Sequence, residues 1–330
     1  MKGKVGIIAN PQSGKDIRRL TSKASVFDNE EKVNIIERIL SVFNFFNIEE
    51  IYYMEDAYGI VKKAASRIKA SNLKIIPIEM NYTFDEVDST NASKIMQNIV
   101  DIILVLGGDG TNRAVVKGLN MEDPVPLAPI STGTNNVFPE MIEGTTVALA
   151  IISYLTSIEK EKNLRREKLL NIKFNNNSDI ALIDFAISKE QFIGSKAIWN
   201  EKSIIAVFVT RAEVTSIGFS SLVALKNPIH RDDPFGGYVI LGEGEEVIFP
   251  IAPGKLAKTS IKEKGIIKEN NPIKMFVERG TIVLDGERKI ELFKDTEVEI
   301  SLLLNGPKVL NFRKAIAEGI KNGIFSNKQS

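Results

Sequence analysis

The sequence lacks cysteine, and it has a single histidine, His230, among its 330 residues. Without cysteine the protein can form no disulfide bond and use no thiolate chemistry, which is compatible with a reducing compartment. A single histidine argues against zinc clusters and against Ser-His-Asp catalysis. We therefore look for a functional site among carboxylates, hydroxyls, amides and backbone groups.

An excess of charge of either sign and long apolar runs are also absent. The formal net charge of +1 gives no global field that would attract nucleic acid or anionic lipid. The longest apolar stretches, such as residues 147 to 155, are too short to cross a bilayer, and residues 1 to 11 do not form a secretion signal. We expect a soluble cytoplasmic protein with no nucleic-acid partner and no stable membrane insertion.

The first half of the chain alternates between short apolar runs and amphipathic segments. Strands are predicted at residues 4–9, 50–54, 73–78, 102–106 and 126–130, and helices at 31–46, 59–70, 89–99 and 145–157, with Thr145 as N-cap of the last helix. Residues 115–119 continue a short helix that begins before them. Strands that alternate with helices form a parallel sheet, and such sheets bind ligands at the carboxyl ends of their strands.

The sequence pattern changes after the charged segment at residues 159 to 168. Short β-rich runs follow at residues 169–174, 180–187, 204–210, 238–241, 246–251, 273–277, 281–284, 289–293 and 297–303. Their spacing is typical of an all-β sandwich. Residues 309 to 325 form a predicted helix. We predict an α/β nucleotide-binding domain over 1–160, with 309–330 packing back on it, and a β-sandwich acceptor-binding domain over 161–308.

Two polar, glycine-containing segments follow predicted strands. They are Leu106-Gly107-Gly108-Asp109-Gly110-Thr111 and Ser131-Thr132-Gly133-Thr134-Asn135-Asn136. Glycines let the backbone approach a ligand closely, and the N–H groups at a helix start favour anions. A carboxylate in that setting makes sense if Asp109 holds Mg²⁺ or takes a proton from an attacking hydroxyl. The pattern predicts phosphoryl transfer, although each segment alone also fits an ordinary turn.

Two better-known phosphate loops do not fit the sequence. Gly14-Lys15 resembles the end of a P-loop, but Ala9 stands where the first glycine belongs. Gly108-Asp109-Gly110 opens a dinucleotide fingerprint, but Arg113 occupies the third glycine position. Arg113 either neutralises phosphate charge or is a solvated helix residue.

Four short motifs, taken in order, carry a family resemblance. They are Asn10-Pro11-x-Ser13-Gly14, Gly107-Gly108-Asp109-Gly110-Thr111, Gly133-Thr134-x-Asn136 and Asp285-Gly286-Glu287. The set resembles the superfamily of NAD kinases and diacylglycerol-type lipid kinases, and residues 108–115, 130–139, 181–184 and 251–254 look most like the acetoin-catabolism X proteins. The resemblance implies an N-terminal Rossmann-like parallel α/β domain joined to a C-terminal β-sandwich.

The resemblance also implies roles for individual residues. The phosphates would be cradled by Gly107, Gly108, Gly110 and Thr111, with Asp109 as base or Mg²⁺ anchor. The nucleotide would further contact Asn10, Ser13, Gly133, Thr134, Asn135 and Asn136. Asp285 and Glu287 would be catalytic, with Mg²⁺ held by Asp109 and Asp285, which requires the sheet edge and the hairpin to share a cleft.

Several of these residues have an equally simple structural interpretation. Asp285-Gly286 alone predicts a two-residue hairpin turn. Asp184 interrupts an apolar strand, so it either contacts the acceptor or lies on a solvated strand face. Trp199 either stacks on a nucleotide ring or belongs to the core. These alternatives stay open at the level of sequence.

The sequence thus predicts an ATP- and Mg²⁺-dependent kinase that phosphorylates a hydroxyl, with the ribose 2′-hydroxyl of NAD as acceptor. A diacylglycerol-type lipid kinase is the first alternative, favoured by Asp285-Gly286-Glu287. A non-catalytic nucleotide-binding protein linked to acetoin catabolism is the second. Small nucleotides are the expected partners, and a homo-oligomer is allowed.

Overall fold

The computed structural model describes residues 3–14, 27–68, 73–133, 136–190, 203–286 and 288–326. Contacts between Cα atoms divide the chain into two compact units. The described residues of the first unit fall within 3–14, 27–166 and 307–326, and those of the second unit fall within 167–306.

The strands of the described residues, in chain order, are β1 (Lys4–Ala9), β2 (Glu50–Tyr53), β3 (Lys74–Pro77), β4 (Ile102–Gly107), β5 (Leu127–Ser131), β6 (Leu164–Arg166), β7 (Leu169–Phe174), β8 (Asn177–Ala181), β9 (Asp184–Ser188), β10 (Ile204–Val209), β11 (Phe235–Ala252), β12 (Lys255–Lys268), β13 (Ile273–Val277), β14 (Gly280–Leu284), β15 (Arg288–Leu292), β16 (Thr296–Leu303) and β17 (Lys308–Leu310). The helices are α1 (Asn29–Phe45), α2 (Ile60–Arg67), α3 (Glu86–Met96), α4 (Asp109–Lys117), α5 (Gly144–Thr156), α6 (Ser220–Ala224) and α7 (Phe312–Lys321), with a 3₁₀ turn at Lys160–Asn163. No helix in these ranges combines the length and apolar character needed to span a bilayer.

The first unit is built on a seven-stranded sheet in the order β3-β2-β1-β4-β5-β17-β6. Strands β1 to β5 are parallel, as the alternation of strands and helices predicts. Strand β4 is buried along its whole length, because helices cover both faces of such a sheet. Apolar residues of α1 and α5, among them Ile36, Leu40 and Ile151, join the strands in one core.

The end of the chain completes this first unit. The sequence predicts a helix over residues 309 to 325, but Val309 lies in β17 and pairs in parallel with Leu127 of β5. The helix α7 begins three residues later, because the Asn311 side chain caps it by accepting the Lys314 N–H at 3.1 Å. Helix α7 lies against α5, where the Ser157 hydroxyl donates to Glu318 at 2.6 Å.

The starts of α5 and α4 are set by acidic residues. Helix α5 is capped by Glu143, whose carboxylate accepts the Thr146 N–H at 3.2 Å, so the prediction of Thr145 as N-cap is wrong. Helix α4 begins at Asp109, within the glycine segment where a helix start is predicted. An acidic residue in the first turn complements the helix dipole, which lets the helix start inside the glycine segment.

The second unit contains two antiparallel sheets that share a core. Their strand orders are β12-β11-β10-β9-β14-β15 and β13-β16-β7-β8. Phe185 and Phe208 of the first sheet stack with ring centroids 4.8 Å apart, and they pack with Ile172 and Ile300 of the second sheet. The predicted fold class, a parallel α/β domain followed by a β-sandwich, is confirmed.

Three local predictions in this unit are wrong. The single strand predicted over 180–187 is two strands, β8 and β9, separated by Leu182 and Ile183. Strand β11 joins two predicted runs into one, and its partner β12 was not predicted, because lysines interrupt its apolar alternation. The β14–β15 hairpin leaves three positions between the paired residues Leu284 and Arg288, not two.

Candidate functional site

The carboxyl ends of three parallel strands bring the predicted phosphate-binding residues to one edge of the first sheet. Asn10 follows β1, Gly108 follows β4 and Thr132 follows β5. Strand β1 lies between β2 and β4, so successive connections run in opposite directions on either side of it. Ligands of open α/β sheets bind at such a switch point, outside the carboxyl ends of the strands.

The glycine segment is the junction between β4 and α4. Gly108 is the N-cap of α4, and no side chain caps this helix end. The amide groups of the first turn therefore point their partial positive charge toward the sheet edge. A Cβ on Gly107 would lie 2.5 Å from Cβ of Thr111, and one on Gly108 would lie 2.9 Å from Oδ1 of Asn136. Close packing against Thr111 thus favours glycine at position 107, and a side chain at position 108 would displace the Asn136 amide.

Asn10 connects the first strand to this segment. Its Nδ2 donates to the Thr111 hydroxyl at 2.8 Å, and its backbone N–H donates to the Leu106 carbonyl at 3.0 Å. Its Oδ1 accepts the Gln12 N–H at 2.8 Å. These contacts fix the orientation of the Asn10 amide, so the structure brings together two of the residues that the sequence singled out, Asn10 and Thr111.

Ser13 is held at the same edge by a chain of hydroxyl contacts. Its Oγ donates to the Asn10 carbonyl at 2.8 Å and accepts from the Thr132 hydroxyl at 2.8 Å. Gly14 follows with φ of 72°, and a Cβ there would lie 2.5 Å from the Thr132 carbonyl. The Asn10–Gly14 turn therefore rests on the segment that follows β5.

Lys32, a fully buried residue of α1, was not predicted as part of this site. Its Nζ donates to the Asn10 carbonyl at 2.9 Å, to the Ser13 carbonyl at 2.7 Å and to Oδ1 of Asn29 at 3.0 Å. The ammonium group thus places a positive charge beneath the Asn10–Ser13 turn. The available signal was a lysine on the apolar side of a predicted helix, four residues before Ile36 and seven before Ile39.

Asp109 is half-buried in the first turn of α4. Its carboxylate accepts the Phe138 N–H at 2.8 Å and the Val137 N–H at 3.1 Å. The side chain therefore joins the start of α4 to the segment that follows β5. This arrangement fixes the carboxylate at the predicted site and also gives it a structural task that the sequence did not predict.

Asn136 lies beside Gly108. Its Nδ2 donates to the Ser131 hydroxyl at 2.9 Å, and that hydroxyl donates to the Gly133 carbonyl at 2.7 Å. The predicted ligand-binding residues Thr134 and Asn135 lie outside the described residues, as do Glu287 and Trp199.

The Arg113 side chain is not exposed to solvent. It is fully buried in α4 and forms an ion pair with Glu86 of α3. The prediction of a solvated helix residue is wrong, because the arginine packs between two helices and finds its counter-charge there. Its position in the third glycine place of a dinucleotide fingerprint thus has a structural explanation.

In the second unit, Asp285 and Asp184 lie together. The Asp285 carboxylate is buried and accepts the backbone N–H groups of Leu182, Ile183 and Asp184 at 2.8 to 3.2 Å. The Asp285 N–H donates to the Asp184 carbonyl at 2.9 Å. Asp184 is half-buried at the first position of β9, so it begins a strand and does not interrupt one.

The carboxylate at the sheet edge suits one mode of Mg²⁺ binding. Within the described residues, no group of three or more Asp, Glu, His or Cys side chains is placed to hold a metal ion. Mg²⁺ bound with nucleotides needs only one or two protein carboxylates, because phosphate oxygens and waters supply the other ligands. Asp109 at the sheet edge fits that mode of binding, and a dedicated all-protein metal cage does not.

Comparisons with known proteins agree with this two-part organisation. The model of the ATP-NAD kinase N-terminal domain matches residues 5–160, and that of the acetoin catabolism protein X C-terminal domain matches residues 168–305. The structure of yeast NADH kinase complexed with NADH is similar with a TM-score of 0.55 and 14% identity, covering 99% of this chain and 89% of that one. A putative diacylglycerol kinase from Bacillus anthracis str. Sterne gives a TM-score of 0.47 and 17% identity over 93% and 96% of the two chains.

A curated relative is much closer in sequence. Acetoin catabolism protein X of Cupriavidus necator is 36% identical over 315 residues, which cover 90% of this chain and 87% of the relative. The predicted family resemblance is confirmed. This chain has a NAD kinase-like fold and belongs to the acetoin catabolism protein X family.

Proposed function

We propose that the protein is an ATP- and Mg²⁺-dependent kinase that phosphorylates a hydroxyl acceptor, and that the acceptor is the ribose 2′-hydroxyl of NAD. The observation that carries the proposal is the β4–α4 junction at the switch point of the parallel sheet. There a helix start without a side-chain cap, two glycines under close packing and a carboxylate occur together. The helix start and glycines suit the phosphates of a nucleoside triphosphate, and the carboxylate beside them suits a proton acceptor or a metal ligand.

The residues of the sheet edge have distinct tasks in this proposal. The N–H groups of the first turn of α4 bind phosphate oxygens, and Asn10 keeps the Thr111 hydroxyl in position. Lys32 supplies positive charge below the Asn10–Ser13 turn. Catalysis then consists of positioning the donor phosphate in line with the acceptor and neutralising its charge.

Asp109 is the residue proposed to act on the reacting groups. When bound, Mg²⁺ neutralises charge on the donor phosphates, and Asp109 is the carboxylate that would hold it. The alternative role is that of general base, which takes the acceptor proton. Asp285 and Glu287 remain proposed catalytic residues, and Asp285 also anchors three backbone amides of its own unit.

The test is a kinase assay with labelled ATP, Mg²⁺ and NAD on the wild type and on Asp109→Asn. Loss of a general base lowers the rate by about 100- to 10,000-fold, and we expect a loss in that range. The asparagine keeps an oxygen that accepts the Phe138 N–H, so the fold should persist, as measured by circular dichroism. Asp295→Asn, at an exposed position, is the matched control. An Asp109→Asn protein with full activity would refute the assignment.

A second candidate is a nucleotide-binding protein without catalysis, linked to acetoin catabolism as the name of the relative suggests. It is favoured by one observation, because the Asp109 carboxylate accepts amide N–H groups of its own chain. Calorimetry separates the two candidates. Binding of ATP and NAD without product would support the second, and phosphate appearing only in diacylglycerol vesicles would instead favour a lipid kinase.

A further inference from the structure

The hairpin of β11 and β12 extends beyond the rest of its sheet. The pairing of β10 with β11 ends at Ile240, whereas β11 and β12 stay paired as far as Ala252 and Lys255. We call residues 245 to 261 of this hairpin the distal ribbon. One of its faces is covered, since Val247 and Phe249 are buried against Leu222 of α6.

The opposite face of the distal ribbon carries exposed apolar side chains. Leu256 is 69% exposed and Ile248 is 57% exposed. The register pairs Pro250 with Leu256 and Ile248 with Lys258, so these four residues lie on one face as neighbours. We call these four residues the tip face.

Toward the hairpin turn, the charge near the tip face is positive. Residues 247 to 262 include Lys255, Lys258 and Lys262 and contain no aspartate or glutamate. This local charge of +3 stands out in a chain whose net charge is +1. The acidic residues of β11, Glu243, Glu245 and Glu246, lie at the end of the ribbon away from the hairpin turn, and Glu246 shares the strand face of Ile248.

We propose that the tip face docks on an anionic lipid surface, with Ile248 and Leu256 entering the interfacial layer and the lysines facing the headgroups. Exposed apolar side chains flanked by lysines are the combination that binds such surfaces. The end of a two-stranded ribbon offers a protruding surface rather than a groove for a protein segment. A second copy of the chain suits it less, because pairing of two β12 edges would oppose their lysines. The proposal does not depend on the proposed kinase activity.

Cosedimentation of the full chain with vesicles tests the proposal. We expect binding to phosphatidylcholine vesicles containing phosphatidylserine, weakening with added salt, and little binding to phosphatidylcholine alone. Lys255→Gln/Lys258→Gln should lower affinity by about fivefold per lysine. Leu256→Ser should lower it by about tenfold or more through lost apolar burial. The matched control is Phe293→Ser/Lys294→Gln, an exposed apolar–basic pair next to β15 at the opposite edge of the same sheet.

The outcomes are distinguishable. Because the altered side chains are exposed, the variants should keep the wild-type melting temperature. The proposal is overturned by a lack of binding to anionic vesicles, by variants that bind as well as the wild type, or by an equal loss in the control pair. It is also overturned if sedimentation velocity shows a dimer that Leu256→Ser dissociates, since the tip face would then bind a second copy.

Discussion

At the scale of single residues, Lys32 shows how a buried charge can organise a polar turn. Its three hydrogen bonds go to two backbone carbonyls and one side-chain amide, and Asn10 and Ser13 supply the carbonyls. Both residues belong to the first motif of the predicted site. The turn that presents Asn10 to Thr111 is therefore stabilised from below by a residue of α1.

Replacing Lys32 by methionine tests this support. Lys32→Met keeps the apolar stem but leaves the Asn10 and Ser13 carbonyls without their donor, so we expect a loss of about 1–3 kcal/mol in the free energy of unfolding. Urea denaturation measures the loss, and Lys62→Met, at an exposed position of α2, should change it by less than about 0.5 kcal/mol. Equal stability of the two variants would contradict the role assigned to Lys32.

Gly108 and Asn136 form a second residue-scale pair. Gly108→Ala brings a Cβ to 2.9 Å from Oδ1 of Asn136, so the asparagine must move away from the glycine segment. We expect weaker ATP binding by about tenfold or more, because a displacement of a few tenths of an ångström disturbs phosphate contacts. Calorimetry on Gly108→Ala, Asn136→Ala and the double variant measures the coupling. If the losses in ATP-binding free energy of the two single variants simply add in the double variant, Gly108 and Asn136 are not coupled.

At the scale of elements, the β14–β15 turn of the second unit serves as an anchor. Asp285 adopts a left-handed φ of 47°, which aspartate tolerates better than most residues. Its buried carboxylate receives three consecutive amides between β8 and β9. The hairpin turn thereby fixes the start of β9, where Asp184 is located.

Removal of this carboxylate should destabilise the second unit. Asp285→Gly keeps the left-handed conformation accessible but leaves three buried amides without an acceptor, so we expect a loss of about 2–3 kcal/mol. Asp295→Gly, at an exposed position, corrects for the flexibility that glycine adds to the unfolded chain. Both are compared by urea denaturation. If the two variants lose the same amount, Asp285 has no anchoring role.

The elements also show what can be predicted from sequence. Continuous apolar runs such as β4 and regularly spaced helices such as α1 were predicted within a few residues, because burial alone determines their pattern. The lysine-rich edge strand β12 and the break at Leu182 and Ile183 were not. An edge strand needs no apolar alternation, and the break depends on Asp285, about a hundred residues away in the sequence.

At the scale of the whole molecule, order along the chain carried more information than any single motif. The motifs at Asn10, Gly107 and Gly133 meet at one sheet edge because parallel strands place their carboxyl ends together. Arg113 and Lys32 could not be assigned from sequence, since each depends on a partner from another helix or turn. Family membership followed from the motifs, whereas the acceptor requires an assay.

In the proposed function, the sheet edge around Asp109 transfers phosphate from ATP to NAD. The most direct measurement is the rate of formation of NAD phosphorylated at the 2′-hydroxyl, with ATP and Mg²⁺, alongside calorimetric affinities for ATP. We predict turnover by the wild type and a rate about 100- to 10,000-fold lower for Asp109→Asn. ATP affinity preserved in this variant would indicate the general-base role, and weakened affinity would indicate the Mg²⁺ role. A wild type that binds both nucleotides and forms no phosphorylated NAD would contradict the account.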